Sequence, residues 1–423
     1  MGPDRDPILR PDRELSAPRK AADGNHTDLG PNREMTKESS TAPAVRGALS
    51  RAVVGFESEE AARRRLARFG YPPDVAAEIA VYLAQSTDLP LFAADISQAL
   101  SQEGIATEFV DLDGLGKRLG DLAPQRETTI VWAITDGLRF YRGSSVPALA
   151  RLEGFARFGS PAAAAHLCQD KFASLALASS AGLTVPPTRL TEGENEIAAL
   201  GDWTRASGPL FVKPNTLGAK IGIFADSLCR DRTEASDRAQ RIWARYRDRA
   251  LIQPFVEGDD VRVSYMDLGG EFADQLGVER IVKDAASEAG GAFLTMKDNE
   301  TLSGARDTAG GRGGFGASRP AAFIPRMVDL REETDERSRR AVAHILDCSA
   351  RVARLIGLRD LFSIDFRIDA DGWPTFFEFE VCPGVTIYDF QNYLRSRRGV
   401  TLGQGLAKSM RLAFARRGEA AEA

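Results

Sequence analysis

At 423 residues the chain can bury a core for two or three subdomains, and its formal charge of −5 with a pI near 5.6 gives no broad electrostatic case for nucleic acid or an anionic membrane. No apolar run of about 18 residues occurs and the start, MGPDRDPILRPDRE, lacks a signal-peptide core, so a soluble cytoplasmic protein is expected. Cys168, Cys229, Cys348 and Cys382 are scattered without a C-x-x-C pair, and the only histidines are His26, His166 and His344, which argues against a disulfide framework, a zinc ribbon and a histidine base.

Residues 1–48, rich in Pro, Arg, Asp, Ser and Thr, read as a disordered tail. From ESEEAARRRLARFG through FAADISQALSQEG the apolar spacing predicts helices, and TEFVDL and TTIVWAI then read as buried strands of an α/β layer. A helix SVPALARLEGF and a short strand in ARFGSP complete a first subdomain over 49–165. Helices in SPAAAAHLCQDKFASLALASSAGL lead to TVPPTRL, whose paired prolines mark an extended link. An antiparallel pair in GPLFVKPNTLGAKIGIFADS, a helix EASDRAQRIWARYRDR and strands ALIQPFV, DVRVSYMDL and EFADQLGV follow. The stretch 304–316, GARDTAGGRGGFG, reads as a mobile loop, and a long helix from EETDERS to ARLIG precedes a final hairpin. The expected boundaries are a small lobe at 166–258, a large lobe at 259–415 and a flexible end at 416–423.

That hairpin, FSIDFRIDADGWPTFFEFEVCPG, has alternating strands around the turn tetrapeptide DADG. Alternation puts Phe362, Ile364, Phe366 and Ile368 on one face and Ser363, Asp365 and Arg367 on the other; on the return strand Phe377, Phe379 and Val381 share a side opposite Phe376, Glu378 and Glu380. Asp365, Glu378 and Glu380 then converge, with Arg367 as the only nearby base. Two like charges about 5 Å apart repel by roughly 3 kcal/mol at an effective dielectric of about 20, more than one arginine offsets across three acids. Either the face is solvated or a divalent cation holds it, and hard oxygens without a thiolate pair suit Mg²⁺ or Mn²⁺.

Two further segments fit a nucleotide. In LFVKPNTLGAKIG a strand ends at Lys213 and a loop carries Gly218, Lys220 and Gly222, whose backbone could approach phosphates; a plain hairpin is the alternative, since neither a P-loop nor a Rossmann string is present. In LIQPFVEGDDVRVSYM the break at Pro254 is expected to leave unpaired backbone groups beside apolar side chains, suited to adenine, with Asp260 near the ribose or merely a turn acid.

The ordered series Lys171 in CQDKF, Lys213 in FVKP, LGAKIG, QPFVEGDD and IDFRIDADGWPTFFEFEVCPGVT resembles an ATP-grasp ligase, nearest the D-alanine–D-alanine ligase-like branch, over about residues 125–395. The resemblance implies an α/β (α+β) fold in which an N-terminal α/β subdomain accompanies two α+β lobes clasping ATP. It further implies that Lys171 and Lys213 contact phosphates, that Gly218, Ala219 and Lys220 cover them, that Gln253, Phe255 and Val256 line the adenine pocket, and that Asp260 meets the ribose. Asp365, Glu378 and Glu380 would hold Mg²⁺ or Mn²⁺, and Arg262 and Arg367 would stabilise an acyl phosphate. Lys297, before the glycine-rich stretch, would reach ATP on closure.

The implied activity is an ATP-dependent carboxylate–amine ligase acting on small molecules, with no nucleic acid or membrane partner and a homodimer left open. A nucleotide-binding regulatory or scaffold protein without turnover, or a small-molecule kinase, are the alternatives. This chain departs from the branch in having Glu380 for an asparagine, Ser363 for an arginine and Asp389 where a serine seats a substrate carboxylate; Asp389 would favour a cationic or amine-bearing acceptor. The strand-end loop WAITDGLRFYRGSS offers Arg139 and Arg142 either as a carboxylate seat or as surface charges.

Overall fold

The computed structural model describes residues 47–417 except 88, 135–142, 206, 219, 283–292, 294, 297–325, 385–389 and 391–392. The expected tail up to residue 46, the glycine-rich loop 304–316 and the C-terminal residues 418–423 lie outside the described residues.

The described residues begin with β1 (Arg51–Phe56), α1 (Glu59–Arg68), α2 (Pro73–Thr87), α3 (Leu89–Gln102), β2 (Ala106–Asp111), α4 (Leu112–Asp121), β3 (Thr129–Ala133), α5 (Ser145–Leu152) and β4 (Ala156–Phe158). The four strands form a parallel sheet in the order β2-β1-β3-β4. β1, absent from the sequence expectations, is one of its two inner strands. Its Ala52–Val54 run is fully buried and so carries no alternation to mark it, as is usual for parallel strands covered on both faces. One face packs on α3 and the helix Leu402–Ala415, the other on α4 and α5.

The second sheet is antiparallel, in the order β6-β5-β9-β7-β8. It is built from β5 (Thr188–Glu192), β6 (Asn195–Leu200), β7 (Leu210–Pro214), β8 (Leu228–Cys229) and β9 (Ala250–Pro254), with α6 (Ala162–Leu167) and α7 (Lys171–Ser180) before it and α8 (Arg232–Tyr246) between β8 and β9. The extended link expected at TVPPTRL is in part a paired strand: beyond the prolines, Thr188–Glu192 hydrogen-bonds to both β6 and β9. α1 and α2 pack here rather than on the parallel sheet. Leu66, Tyr71 and Ile79 join Val212, Ile242 and Tyr246 in one core, and Tyr71 donates its hydroxyl to the Tyr246 carbonyl at 2.9 Å.

The third sheet, ordered β12-β11-β10-β13-β14, comprises β10 (Asp259–Met266), β11 (Leu276–Val282), β12 (Arg326–Asp329), β13 (Leu361–Ile368) and β14 (Pro374–Glu380), all antiparallel. The strand expected from EFADQLGV starts late, at Leu276, after a short 3₁₀ turn Phe272–Gln275. The amphipathic helix Glu336–Ile356 and α7 cover one face through Ile345, Val352, Leu175, Val263, Ile364 and Phe366. The helix ends at Gly357 in the left-handed region, φ 76°, which turns the chain into β13.

Gly258, φ 132°, joins the second and third sheets where backbones nearly touch: a Cβ there would stand 2.1 Å from the Ile368 carbonyl oxygen. Gly258→Ala should therefore destabilise the protein by more than about 2 kcal/mol, read from its denaturant midpoint. A midpoint equal to wild type would contradict the close approach.

Candidate active site

The second and third sheets jointly line a cavity of about 290 Å³. Lys213 reaches it from β7, Lys171 from the start of α7, Asp260 and Arg262 from β10, Asp365 and Arg367 from β13, and Glu378 and Glu380 from β14. Gly218 and Lys220 of the glycine loop and Gln253, Phe255 and Val256 of the segment after β9 complete the group named from sequence. Ala219, Lys297, Arg139, Arg142 and Asp389 lie outside the described residues.

The hairpin register sets the charged face. Asp365 is the cross-strand partner of Glu378, and Ser363 of Glu380. Strict alternation fails at one point. Asp365 pairs with Glu378 but Phe366 pairs with Phe376, leaving Phe377 as the extra residue of a β-bulge. Phe376, expected beside the acids, is instead buried edge-on against Phe366 with centroids 6.0 Å apart, while Phe377, expected on the opposite side, lines the cavity with Lys213 Nζ 5.5 Å from its ring centroid. The turn follows the sequence: Asp369 Oδ1 accepts from the Asp371 and Trp373 amides at 2.9 and 2.8 Å.

The expectation that Arg367 is the only base near the acids is corrected. Arg262, on the neighbouring strand, grips Asp365 with both arms of its guanidinium, Nε to Oδ1 and Nη2 to Oδ2, each 2.9 Å, and its Nη1 lies 3.7 Å from Glu380. Lys171 Nζ stands 3.6 Å from Glu378. Arg367 is directed elsewhere, donating to Asp260 Oδ1 at 2.6 Å and to the Val256 carbonyl at 2.5 Å. Sequence alone could not reveal these partners, because they follow from the β10–β13 register, Arg262 opposite Asp365 and Asp260 opposite Arg367. Two departures from the branch also meet: Ser363 donates its hydroxyl to Glu380 Oε2 at 3.2 Å.

Burial holds the Lys213 ammonium below the ordinary lysine range, with Glu378 opposing and Lys171 reinforcing that shift. Burial pushes the Asp365 carboxyl up despite Arg262. For Glu378, burial acts upward, but Lys171 and Lys213 outweigh it and the carboxyl ends below its ordinary range. Adjacent acids thus move in opposite directions: at Asp365 burial outweighs the pull of Arg262, whereas at Glu378 the two lysines outweigh burial.

The glycine loop is tied down at both ends. Asp248 accepts from the Thr216 amide and hydroxyl at 2.8 and 2.9 Å, Lys171 Nζ donates to the Leu217 carbonyl at 2.9 Å, and Arg238 donates to the Gly222 carbonyl at 2.6 Å. Lys220 adopts φ 62°, a left-handed conformation uncommon for a side-chain-bearing residue. Beyond β9, two of the backbone groups expected to be unpaired are engaged: the Phe255 amide donates to the Pro209 carbonyl at 2.9 Å and the Val256 carbonyl accepts from Arg367. Gln253 donates through Nε2 to the Thr188 hydroxyl at 2.8 Å. Phe211 and Phe293, not singled out from sequence, join Phe255 in a ring cluster on the cavity wall, with Phe211–Phe293 centroids 4.9 Å apart. Only their apolar character marked them.

Asp365, Glu378 and Glu380 offer hard carboxylate oxygens from adjacent positions, a donor set that fits Mg²⁺ or Mn²⁺. Among the described residues no three His, Cys, Asp or Glu side chains stand gathered as a metal cluster, and both Asp365 oxygens are engaged by Arg262. No helix among these residues is long and apolar enough to cross a membrane.

No protein-family model matches the chain. It is 24% identical to the vancomycin B-type resistance protein VanB of Enterococcus faecalis over 258 residues, which is 61% of this chain and 65% of that protein, just short of two thirds. It is also 24% identical over 275 residues to a D-alanine–D-alanine ligase of Nitrosospira multiformis, 65% of this chain and 76% of the relative. In three dimensions it is similar to the D-alanine–D-alanine ligase of Bacillus anthracis complexed with ATP, with a TM-score of 0.57 at 13% identity over 88% of this chain and 99% of the other. With two antiparallel sheets around a lysine- and carboxylate-lined cavity, the chain has the ATP-grasp fold and is similar to D-alanine–D-alanine ligases in sequence and in three dimensions.

Proposed function

We propose that the protein is an ATP- and Mg²⁺-dependent ligase that joins a carboxylate to an amine through an acyl phosphate, on amino-acid-type substrates. The observation that carries this reading is the double complementarity of the cavity. Lys213, only 7% exposed, and Lys171 present ammonium groups on one side, and Asp365, Glu378 and Glu380 present carboxylates on the other. A triphosphate with a divalent cation satisfies both sides at once, and no single-sign ligand does.

In the proposed reaction Lys171 and Lys213 bind the phosphates, Gly218, Ala219 and Lys220 lie over them, Phe255, Val256 and Gln253 border the base, and Asp260 and Lys297 complete the nucleotide site. A substrate carboxylate oxygen attacks the γ-phosphorus and the bond to the bridging oxygen breaks, releasing ADP. The amine nitrogen then attacks the acyl carbon, the carbon–oxygen bond to phosphate breaks, and the nitrogen loses a proton. Arg262 and Arg367 stabilise the charge that develops, while Arg139, Arg142 and Asp389 are the proposed substrate contacts. Mg²⁺ or Mn²⁺ held by Asp365, Glu378 and Glu380 would supply neutralisation of the phosphate charge. No protein nucleophile is required.

A mass-spectrometric screen of amino-acid pairs, with hydroxy acids as alternative acceptors, in ATP and Mg²⁺ tests this. ADP, phosphate and a condensed product that needs both partners are expected. Tight ATP binding without turnover would favour a regulatory or scaffold role, and a stable phosphorylated single substrate would favour a kinase.

A further inference from the structure

The charged face of the third sheet continues from β10 onto β11, the strand that brings Ile281 to the cavity wall. Register aligns Glu279 of β11 with Arg262 of β10, Arg262 with Asp365 of β13, and Asp365 with Glu378 of β14. Directly opposed residues of antiparallel strands share a face with Cβ atoms about 5 Å apart, so these four side chains form one transverse row. Arg262 lines the cavity, whereas Glu279 does not; it lies behind Arg262 and is only 2% exposed.

A carboxylate buried to this degree is costly unless it is engaged by a cation or by hydrogen bonds. The arginine beside it is a rigid fork already committed on its far side to Asp365, through two 2.9 Å bonds. We propose that Glu279 is a positioning residue for Arg262: with Asp365 it brackets the guanidinium from the opposite side and fixes the direction in which the fork is presented to the cavity. Glu279 touches neither nucleotide nor substrate in this arrangement. It acts on the chemistry only through Arg262, and that consequence rests on the ligase reading above.

The test is a double-mutant cycle in the full-length chain with Glu279→Gln, Arg262→Lys and the pair, read in two independent ways. In thermal unfolding, the shift caused by Glu279→Gln should be clearly smaller in the Arg262→Lys background than alone; equal shifts in both backgrounds overturn the proposal. In turnover, Glu279→Gln should lower kcat at least about tenfold while the dissociation constant for ADP stays within about twofold, and it should add less than about twofold once Arg262 is lysine. Glu279→Asp, which restores the charge at shorter reach, should recover part of the lost kcat. A full loss carried equally by both backgrounds, or a kcat unaffected by Glu279→Gln, contradicts the proposal. If the wild type forms no ADP with any substrate pair the ligase reading falls, and the unfolding cycle still decides whether the two side chains are coupled.

Discussion

Glu378→Gln should abolish measurable ADP formation, a loss of at least about 10²–10³-fold, while the protein remains folded. Glutamine keeps the shape and removes the charge at the one carboxylate that both Lys171 and Lys213 hold below its ordinary pKa against burial. Two effects then add. A hard anionic ligand for the divalent ion is lost, and two ammonium groups lose their common counter-charge. Because the Glu378 side chain retains 32% exposure, the stability cost should be modest, about 1–2 kcal/mol rather than that of a sealed ion pair. Mn²⁺ titration of wild type and variant checks the metal role separately from turnover. Normal ADP release by the variant would remove Glu378 from the chemistry.

Lys213→Met should weaken ATP binding by about 100-fold, equivalent to about 2.7 kcal/mol, without lowering the stability of the ligand-free protein. The two effects have opposite signs because the ammonium is desolvated at the end of β7, where it is unfavourable until an anionic ligand arrives. The pH dependence follows. Burial places the folded-state pKa below the unfolded one, so between the two values the unfolded chain binds the extra proton. Stability of the ligand-free wild type therefore gains from this residue as pH rises through that interval, and the gain should be missing from Lys213→Met. Calorimetry of ATP binding and unfolding across alkaline pH read both. Unchanged affinity would place Lys213 outside the phosphate site.

What was legible in the sequence was whatever local pattern encodes. The turn Asp369–Gly372, the alternation of β13 and the long amphipathic helix ending at Gly357 all follow from spacing and turn chemistry, and they bring Asp365, Glu378 and Glu380 to one cavity. Long-range register was not legible. The sequence resemblance gives Arg262 and Arg367 one shared role, yet Arg262 holds Asp365 while Arg367 is turned to Asp260. One inserted residue in β14 exchanged the places of Phe376 and Phe377, a change that strict period-two reading cannot foresee. β1 escaped because a strand buried on both faces carries no polar rhythm, and α1 and α2 gave no sign that their apolar faces belong to the second sheet. Glu279 was invisible for the same reason: its neighbour Arg262 is defined only by strand pairing.

The acyl phosphate is most directly tested by following a heavy-oxygen label from the substrate carboxylate. If the carboxylate attacks the γ-phosphorus, one labelled oxygen must appear in the inorganic phosphate released with the condensed product. Unlabelled phosphate, or label retained on a phosphorylated substrate that never meets an amine, would contradict the account.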